Sequence, residues 1–141
     1  MIETEPEAYV LASYWRSRNV IITGEPRIGA NVSIGDYSEI NAKDAVVEIG
    51  DDCDVASFVA INAADSSDKC IERSGTIVRR NIKIGDHVFI GSHCFIGGGV
   101  KIGHHSKIAA GTILIARRSE TVVIPPHSLV YGNPWFRKPL I

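Results

Sequence analysis

Large aliphatic residues recur every six positions through the second half of the chain. They are Ile84, Ile90, Ile96, Ile102, Ile108 and Leu114, and each of the first five is followed by glycine or alanine. An amphipathic helix repeats its apolar residues about every 3.6 positions, and a half-buried strand repeats them every second position. A period of six instead predicts a short strand and a bend, repeated, with glycine giving the backbone the freedom that the bend needs.

Three such units would close one triangular coil, so residues 18 positions apart are expected to stack. Ile84 would then lie over Ile102, and Ile90 over Ile108. The fifth residue of each unit is expected to point inward together with the first; these residues are Val88, Cys94, Val100, Ser106 and Thr112. The pattern predicts an all-β fold, a single-stranded parallel β-helix of hexapeptide repeats, in which each coil is stabilised by its neighbours.

Several stretches depart from the repeat. An earlier run consists of Ile22, Ile28, Ile34, Ile40 and Val46, and its register then slips by three residues before Ile49, which predicts a bulge between residues 41 and 48. A polar stretch over residues 62–81 predicts a loop excursion from one corner, and loops of that length are usually functional or disordered. A second irregular stretch covers residues 115–123, after which the repeat returns at Ile124 and Val130. The tail, residues 131–141, is expected to end the regular structure.

Three glycines follow Ile96, at positions 97–99. They either leave space beside the loop excursion or form a tight bend.

Residues 4–17 have the pattern of a short helix. Thr4 and Glu7 form a capping box, and Ala8, Leu11, Ala12 and Trp15 would share one face. We expect residues 1–19 to be a cap ahead of a single β-helix domain over residues 20–141. The helix either closes the first coil or packs on the outer wall.

Composition limits the partners of the chain. Its 141 residues fit one domain, and 15 basic against 16 acidic residues give no sign of nucleic acid as a partner. No apolar run is long enough to span a membrane, and the acidic N-terminus leads us to expect a cytoplasmic protein. Cys53 and Cys94 fall at inward places and are expected to be buried free thiols, whereas Cys70 lies in the irregular stretch.

Two parts of the sequence resemble the hexapeptide-repeat acyltransferases, and most closely the small sugar O- and N-acetyltransferases. Ile84–His93, continued by Gly98–Thr112, resembles the penultimate coils of that family, and Ile124–Pro134 resembles its terminal motif. The resemblance covers residues 20–138. It implies a left-handed β-helix, a homotrimer with active sites between subunits, and acetyl-CoA as co-substrate. It also implies an acceptor hydroxyl or amine on a sugar, amino sugar or nucleotide-sugar, which attacks the thioester directly.

The resemblance also assigns cofactor-binding residues. Ser92 and Ala110 match positions that touch the CoA arm through backbone groups, and they lie 18 residues apart. Arg117 or Arg118 loosely matches a basic residue that follows the last full coil. Arg137 and Lys138 match basic residues suited to the nucleotide phosphates.

The family's general base is not matched. That base is a histidine at the start of the long loop, and residues 41–86 contain no histidine. Asn62 and Asp65 open the loop instead and are predicted to contact the substrate. Asp65 is a candidate catalytic base if burial raises its pKa. His93, next to Ser92, is the other catalytic candidate; otherwise a histidine of a neighbouring subunit serves, or there is no acyl transfer.

The remaining histidines suggest an alternative. His87 and His105 are 18 residues apart and should stack at one corner, with His93 on the next, whereas His104 and His127 receive no role. Zinc needs three nitrogen ligands and an open position, so a metal enzyme similar to the γ-class carbonic anhydrases is one alternative. Because the spacing departs from that family, no metal is expected. A non-catalytic β-helix scaffold is the other alternative.

Overall fold

The computed structural model describes residues 11–16 and 18–141. Within these residues the elements are, in chain order, α1 (Ala12–Arg16), β1 (Val20–Gly24), β2 (Arg27–Ile28), β3 (Ser33–Ile34), β4 (Ser38–Ala42), β5 (Val47–Ile49), β6 (Asp54–Val55), β7 (Ala60–Asn62), β8 (Ala64–Asp65), α2 (Ser67–Cys70), β9 (Val78–Arg79), β10 (Ile82–Ile84), β11 (Phe89–Ile90), β12 (Phe95–Gly97), β13 (Val100–Ile102), β14 (Lys107–Ile108), β15 (Ile113–Leu114), β16 (Val122–Ile124), β17 (Ser128–Gly132) and β18 (Trp135–Pro139).

The strands form three faces of a β-helix. The first face has the order β1-β4-β7-β12-β15, the second β16-β13-β10-β5-β2, and the third β18-β17-β14-β11-β6-β3. The chain passes from the first face to the second, then to the third, and back to the first. Neighbouring strands within a face are parallel except for β17 and β18. The predicted all-β fold of stacked hexapeptide coils is confirmed.

The core follows the period of six. The six aliphatic residues from Ile84 to Leu114 are all buried, and Ile84 pairs with Ile102 as expected. All five fifth-place residues are buried as well. Where a fifth-place residue is polar, its hydroxyl is bonded: the Thr112 hydroxyl donates to the Ala109 carbonyl at 2.6 Å, and that of Ser106 donates to the Pro125 carbonyl at 3.3 Å. Burial of these polar side chains therefore leaves no unpaired hydroxyl group.

The predicted slip of register is observed between β4 and β5. The prediction that Val46 points inward, however, is wrong. Ile28 pairs with Ile49, 21 positions along the chain. Val46 is 45 % exposed, whereas Val47, the first residue of β5 in the second face, is buried in the core. A count of six from Ile40 places Val46 in the core, but the bulge is one residue longer than that count allows. The next strand begins at Val47, and its alternate residues Val47 and Ile49 point inward.

This correction predicts unequal effects for two adjacent valines. Val47→Ala should lower the free energy of unfolding by about 2 kcal/mol, because it removes buried methyl groups. Val46→Ala should change it by less than about 0.5 kcal/mol. Urea denaturation at one fixed protein concentration measures both. Equal losses in the two variants would contradict the observed register.

All extra residues lie at one corner, where the chain passes from the first face to the second; we call it the loop corner. It contains the bulge, the loop excursion and the second irregular stretch. The excursion is not irregular throughout, because β8 and β9 pair antiparallel and enclose α2. Repeat spacing is kept at the other two corners, which explains why coils of different length stack in register.

The helix α1 packs on the core near the start of the described chain. In α1, Ala12 and Trp15 are buried and the helix contacts β1, which supports the proposed cap. Leu11 is 65 % exposed, so its assignment to the buried face was wrong. The capping box at Thr4 and Glu7, and Ala8, lie outside the described residues.

The expectation that the tail, residues 131–141, ends the regular structure is wrong, because it contains the strand β18. β18 turns back on β17 through the Asn133–Pro134 peptide, which is cis, and Trp135 packs against the core. β18 lies at the edge of the third face, where a proline near the strand end is tolerated.

None of the helices formed by residues 11–16 and 18–141 has the length and apolar character required to cross a bilayer.

Candidate functional site

The corner between the third and first faces contains two of the predicted CoA-binding residues. Ser92 follows β11, and Ala110 follows β14 in the next coil. The Gly111 amide donates to the Ser92 carbonyl at 2.9 Å, so the two corners stack as the 18-residue spacing requires. Gly111 has a φ of +77°, and a side chain there would meet no atom within 4 Å. The corner is therefore open beside Ala110.

His93 belongs to a ladder of rings at this corner, which we call the aromatic corner. Tyr37 stacks on Phe58 with ring centroids 5.5 Å apart, and Phe58 stacks on His93 at 5.1 Å. All three residues have positive φ and are exposed. The next position in the ladder is Gly111, so one face of the His93 imidazole borders the open space beside Ala110.

The loop corner holds a cavity of about 560 Å³ between the two irregular stretches. Its walls come from the start of the loop excursion and from the residues after β15, and its floor includes Phe95 and Gly97 of the first face. Asn62 and Asp65, the predicted substrate residues, both line it. The cavity mixes apolar surface with a few polar groups, as small-molecule sites do.

Arg80, which sequence reasoning missed, joins the two sides of this cavity. Its guanidinium donates to the carbonyls of Ala116, at 3.5 Å, and Glu120. A Cβ on Gly98 would lie 2.9 Å from the Arg80 Cβ, and one on Gly99 2.6 Å from the Arg80 Cζ. The glycines therefore make room beside the loop, and Gly99 also bends with a φ of +86°. The glycines thus both leave space beside the loop excursion and form a tight bend.

Asp65 does not have the environment of a general base. It is exposed, and its carboxylate accepts the Ser67 amide at 2.9 Å. Hydrogen bonds from the Ser67 side chain and backbone lower the pKa of Asp65. The alternative in which burial raises the pKa of Asp65 is therefore not met, because the exposed carboxylate accepts hydrogen bonds from Ser67 at the start of α2.

The structure does not bring Asp65 and His93 together within one chain. His93 precedes β12 and Asp65 lies in the cavity beyond its end, at opposite ends of the first face. At about 3.3 Å per strand residue, the His93 and Gly98 positions are roughly 16 Å apart. The two catalytic candidates therefore lie at different corners of one chain.

The predicted phosphate-binding residues are distributed between two places. Arg117 is exposed at the loop corner. It begins a turn in which the Glu120 amide donates to the Arg117 carbonyl at 2.7 Å. Arg137 and Lys138 lie on β18 at the end of the third face, and the Arg137 Nε donates to the Ser128 hydroxyl at 2.7 Å. Lys138 is exposed and pairs with Leu129, which in turn pairs with Lys107.

The corner between the second and third faces is a column of histidines. His87 stacks on His105 at 4.6 Å, as predicted, and His105 stacks on His127 at 5.1 Å. His104 meets both His105 and His127 edge-on. Partial desolvation and the neighbouring imidazoles lower the pKa of His105. The sequence reasoning missed His104 and His127 because it compared only residues 18 apart, whereas His105 and His127 are separated by 22.

Burial raises the pKa of the Cys53 and Cys94 thiols. Both are buried free thiols as expected, and Cys70 is exposed.

Comparison with known proteins agrees with this architecture. The family model described as bacterial transferase hexapeptide (six repeats) matches residues 74–116. No curated protein sequence matches the chain significantly. Among solved structures, the polySia-specific acetyltransferase NeuO is 27 % identical with a TM-score of 0.64, over 85 % of this chain and 51 % of that one.

Two further structures have similar scores. A maltose O-acetyltransferase from Clostridium difficile 630 is 28 % identical with a TM-score of 0.56, over 85 % of this chain and 65 % of that one. A galactoside acetyltransferase in complex with coenzyme A is 28 % identical with a TM-score of 0.59, over 86 % of this chain and 64 % of that one. The chain thus spans about half to two thirds of the length of these proteins. It is a hexapeptide-repeat β-helix protein with the fold of the hexapeptide-repeat acyltransferases, as the resemblance of its sequence implies.

Proposed function

We propose that this protein transfers an acyl group, and specifically acetyl, from CoA to a hydroxyl or amine. The observation that carries the proposal is the open aromatic corner, where Ser92 and Ala110 stack in successive coils beside the uncovered Gly111. An extended pantetheine arm could run along this corner parallel to the axis of the β-helix. The likeness to a galactoside acetyltransferase solved in complex with coenzyme A supports CoA as the co-substrate.

The charges around the corner suit the other end of CoA. Arg137 and Lys138 lie on β18, which leads away from the aromatic corner across the last coil of the third face. Lys107 lies on the same face one strand below Leu129. Nucleotide phosphates placed outside this face would meet Lys107 and Lys138, which share one register position. Arg137 pairs with the buried Val130 and donates to Ser128, so its side chain would have to turn outward to add a third cation. Arg117 could contribute from the loop corner of a neighbouring subunit.

The cavity at the loop corner is the proposed acceptor site. Asn62 offers an amide and Asp65 an anionic carboxylate, both suited to hydrogen bonds with the hydroxyl or amino groups of a sugar. The Phe95 ring on the cavity floor offers an apolar surface for the face of a sugar ring. A sugar, amino sugar or nucleotide-sugar is therefore the proposed acceptor class.

A homotrimer would complete the site. The acyl end of CoA and the acceptor would occupy opposite ends of the first face in one chain, too far apart to react. If the aromatic corner of one subunit faces the loop corner of the next, His93 of one chain can serve the cavity of its neighbour. The acceptor then attacks the thioester carbon while His93 takes its proton, and the tetrahedral intermediate expels the CoA thiolate, which is protonated on release.

The test is calorimetric titration with acetyl-CoA. We expect saturable binding of one acetyl-CoA per chain and at least a tenfold weaker affinity in Gly111→Asn. Asparagine tolerates positive φ, and its side chain would fit the fold yet project into the open corner. Gly75→Asn is the matched control, because Gly75 is also open and lies outside the cavity.

No binding by the wild-type protein at millimolar acetyl-CoA would exclude the transferase and favour a scaffold. Equal affinities in Gly111→Asn and the wild type would move the cofactor away from the aromatic corner.

A further inference from the structure

The histidine corner supports a second site, separate from the proposed transferase site. His104, His105 and His127 each offer a ring nitrogen, and these three atoms lie within 4.8 Å of one another. We propose that these imidazoles bind one divalent transition metal ion, such as Zn²⁺, within a single chain.

The arrangement of the rings fits an ion at their centre. The Nδ1 atoms of His104 and His105 are 2.9 Å apart, and the His104 ring stands almost perpendicular to the other two, at 89° to His105 and 85° to His127. Tetrahedral zinc with Zn–N bonds of about 2.0–2.1 Å holds its nitrogens about 3.3 Å apart. The His104–His105 separation of 2.9 Å is shorter than that distance, and all three nitrogens lie within 4.8 Å of one another. Because His105 and His127 stack at 23°, their exposed rings must rotate to direct both lone pairs at one ion.

The pair of Nδ1 atoms also explains how the ion would enter. At 2.9 Å the two nitrogens share a hydrogen bond, in which one donates and the other accepts. An ion bound between them would replace the shared proton: the donor ring loses its Nδ1 proton to solvent and takes one up at Nε2, so that both imidazoles bind the ion as neutral ligands. All three side chains are exposed, so water can complete the coordination without any rearrangement of the core.

The backbone fixes the ligands in two adjacent coils. The His127 amide donates to the His104 carbonyl at 3.0 Å, which joins the two corners directly. On its other side, the Leu140 amide donates to the His127 carbonyl at 2.8 Å. A bound ion would therefore link the last coil to the one before it, and nitrogen ligands favour zinc, nickel and copper over magnesium or calcium.

The site is distinct from the proposed acyl-transfer machinery. It lies between the second and third faces, whereas Ser92, His93 and Ala110 lie between the third and first. The ion is not a cofactor of the transfer reaction, and its role is to fasten the terminal coil. Failure of one proposal therefore leaves the other intact.

Titration of the untagged full chain with ZnCl₂ tests the site, with Co²⁺ absorption as a report of tetrahedral nitrogen coordination. We expect one ion per chain and a melting temperature that rises with ion concentration. Removal of an outer partner of a metal ligand costs 10–100-fold in affinity, so loss of a ligand should cost at least about 100-fold. His127→Asn and His104→Asn should both show it.

His93→Asn is the matched control, because His93 is an exposed histidine with a similar positive φ on another corner. It should bind zinc as the wild type does. Each of three results would overturn the proposal: no saturable binding at submillimolar zinc, equal binding in His127→Asn, or one ion per two or three chains accompanied by zinc-driven association.

Discussion

Gly103→Ala is expected to detach the last coil from the rest of the β-helix. A Cβ at Gly103 would lie 2.7 Å from the Pro126 Cδ and 2.8 Å from the Pro125 carbonyl carbon, and it would overlap the Pro126 nitrogen. These atoms belong to a rigid ring and backbone, so they cannot turn aside as a flexible side chain would. The Gly103 amide also donates to the Ile124 carbonyl at 2.7 Å, and that bond would be strained. We expect a loss of about 3 kcal/mol in the free energy of unfolding.

Tryptophan fluorescence can show which end of the β-helix unfolds first. Trp15 packs near the first strand, and Trp135 packs on the last coil. In a Trp15→Phe background, Trp135 fluorescence should change at a lower urea concentration than the far-UV circular dichroism signal. Stability in stacked repeats is close to a sum of neighbour contacts, so a terminal coil can unfold first.

Gly75→Ala is the control for this experiment, since a Cβ there would meet nothing within 4 Å. It should unfold as the wild type does. A single coincident transition in Gly103→Ala, at the wild-type midpoint, would contradict the packing described between Gly103 and the two prolines.

His93→Asn is expected to lower kcat by about 10²- to 10⁴-fold, the usual contribution of a general base. The measurement requires an acceptor identified by screening sugars and amino sugars with acetyl-CoA. Asparagine keeps the positive φ of the corner and can still lie against Phe58, so folding should persist. KM for acetyl-CoA should change little, and the pH dependence contributed by an imidazole base should disappear. Chromatographic detection of CoA avoids reaction of a thiol reagent with the exposed Cys70.

Asp65→Asn is the comparison that separates the two catalytic candidates. Because hydrogen bonds lower the pKa of Asp65, its carboxylate is a poor proton acceptor near neutral pH. We expect a change in KM for the acceptor and a kcat within about threefold of the wild type. A large loss of kcat in Asp65→Asn, together with a normal kcat in His93→Asn, would reverse the assignment.

The sequence was sufficient to predict the core because a buried column imposes a strict period. Each inward residue must meet another 18 or more positions away, so errors in the pattern would leave cavities. The exception, Val46, arose because two adjacent valines could both begin the next strand, and only the length of the bulge decides between them. The strand β18 was missed because two prolines nearby indicate chain termination, although an edge strand accepts them.

The arrangement of the candidate site residues was less predictable, because it depends on the lengths of the insertions. The stacking of Ser92 and Ala110 could be predicted because both residues lie in unbroken coils. The histidine cluster was missed because the extra residues after Leu114 shift His127 into register with His105. A comparison of residues at the spacing between Ile102 and Ile124 would have revealed it. Arg80 could not have been found, because its partners are backbone carbonyls in a distant irregular stretch.

The confinement of every insertion to the loop corner has a consequence for how such a protein can diverge. Lengthening a loop whose ends are fixed costs little, about 0.6 kcal/mol for each doubling. Loops between the first and second faces can therefore be exchanged while the aromatic corner and the aliphatic column stay unchanged. If the cavity at the loop corner binds the acceptor as proposed, acceptor preference is a modular property, open to evolution and to grafting, in a framework whose stability is preserved.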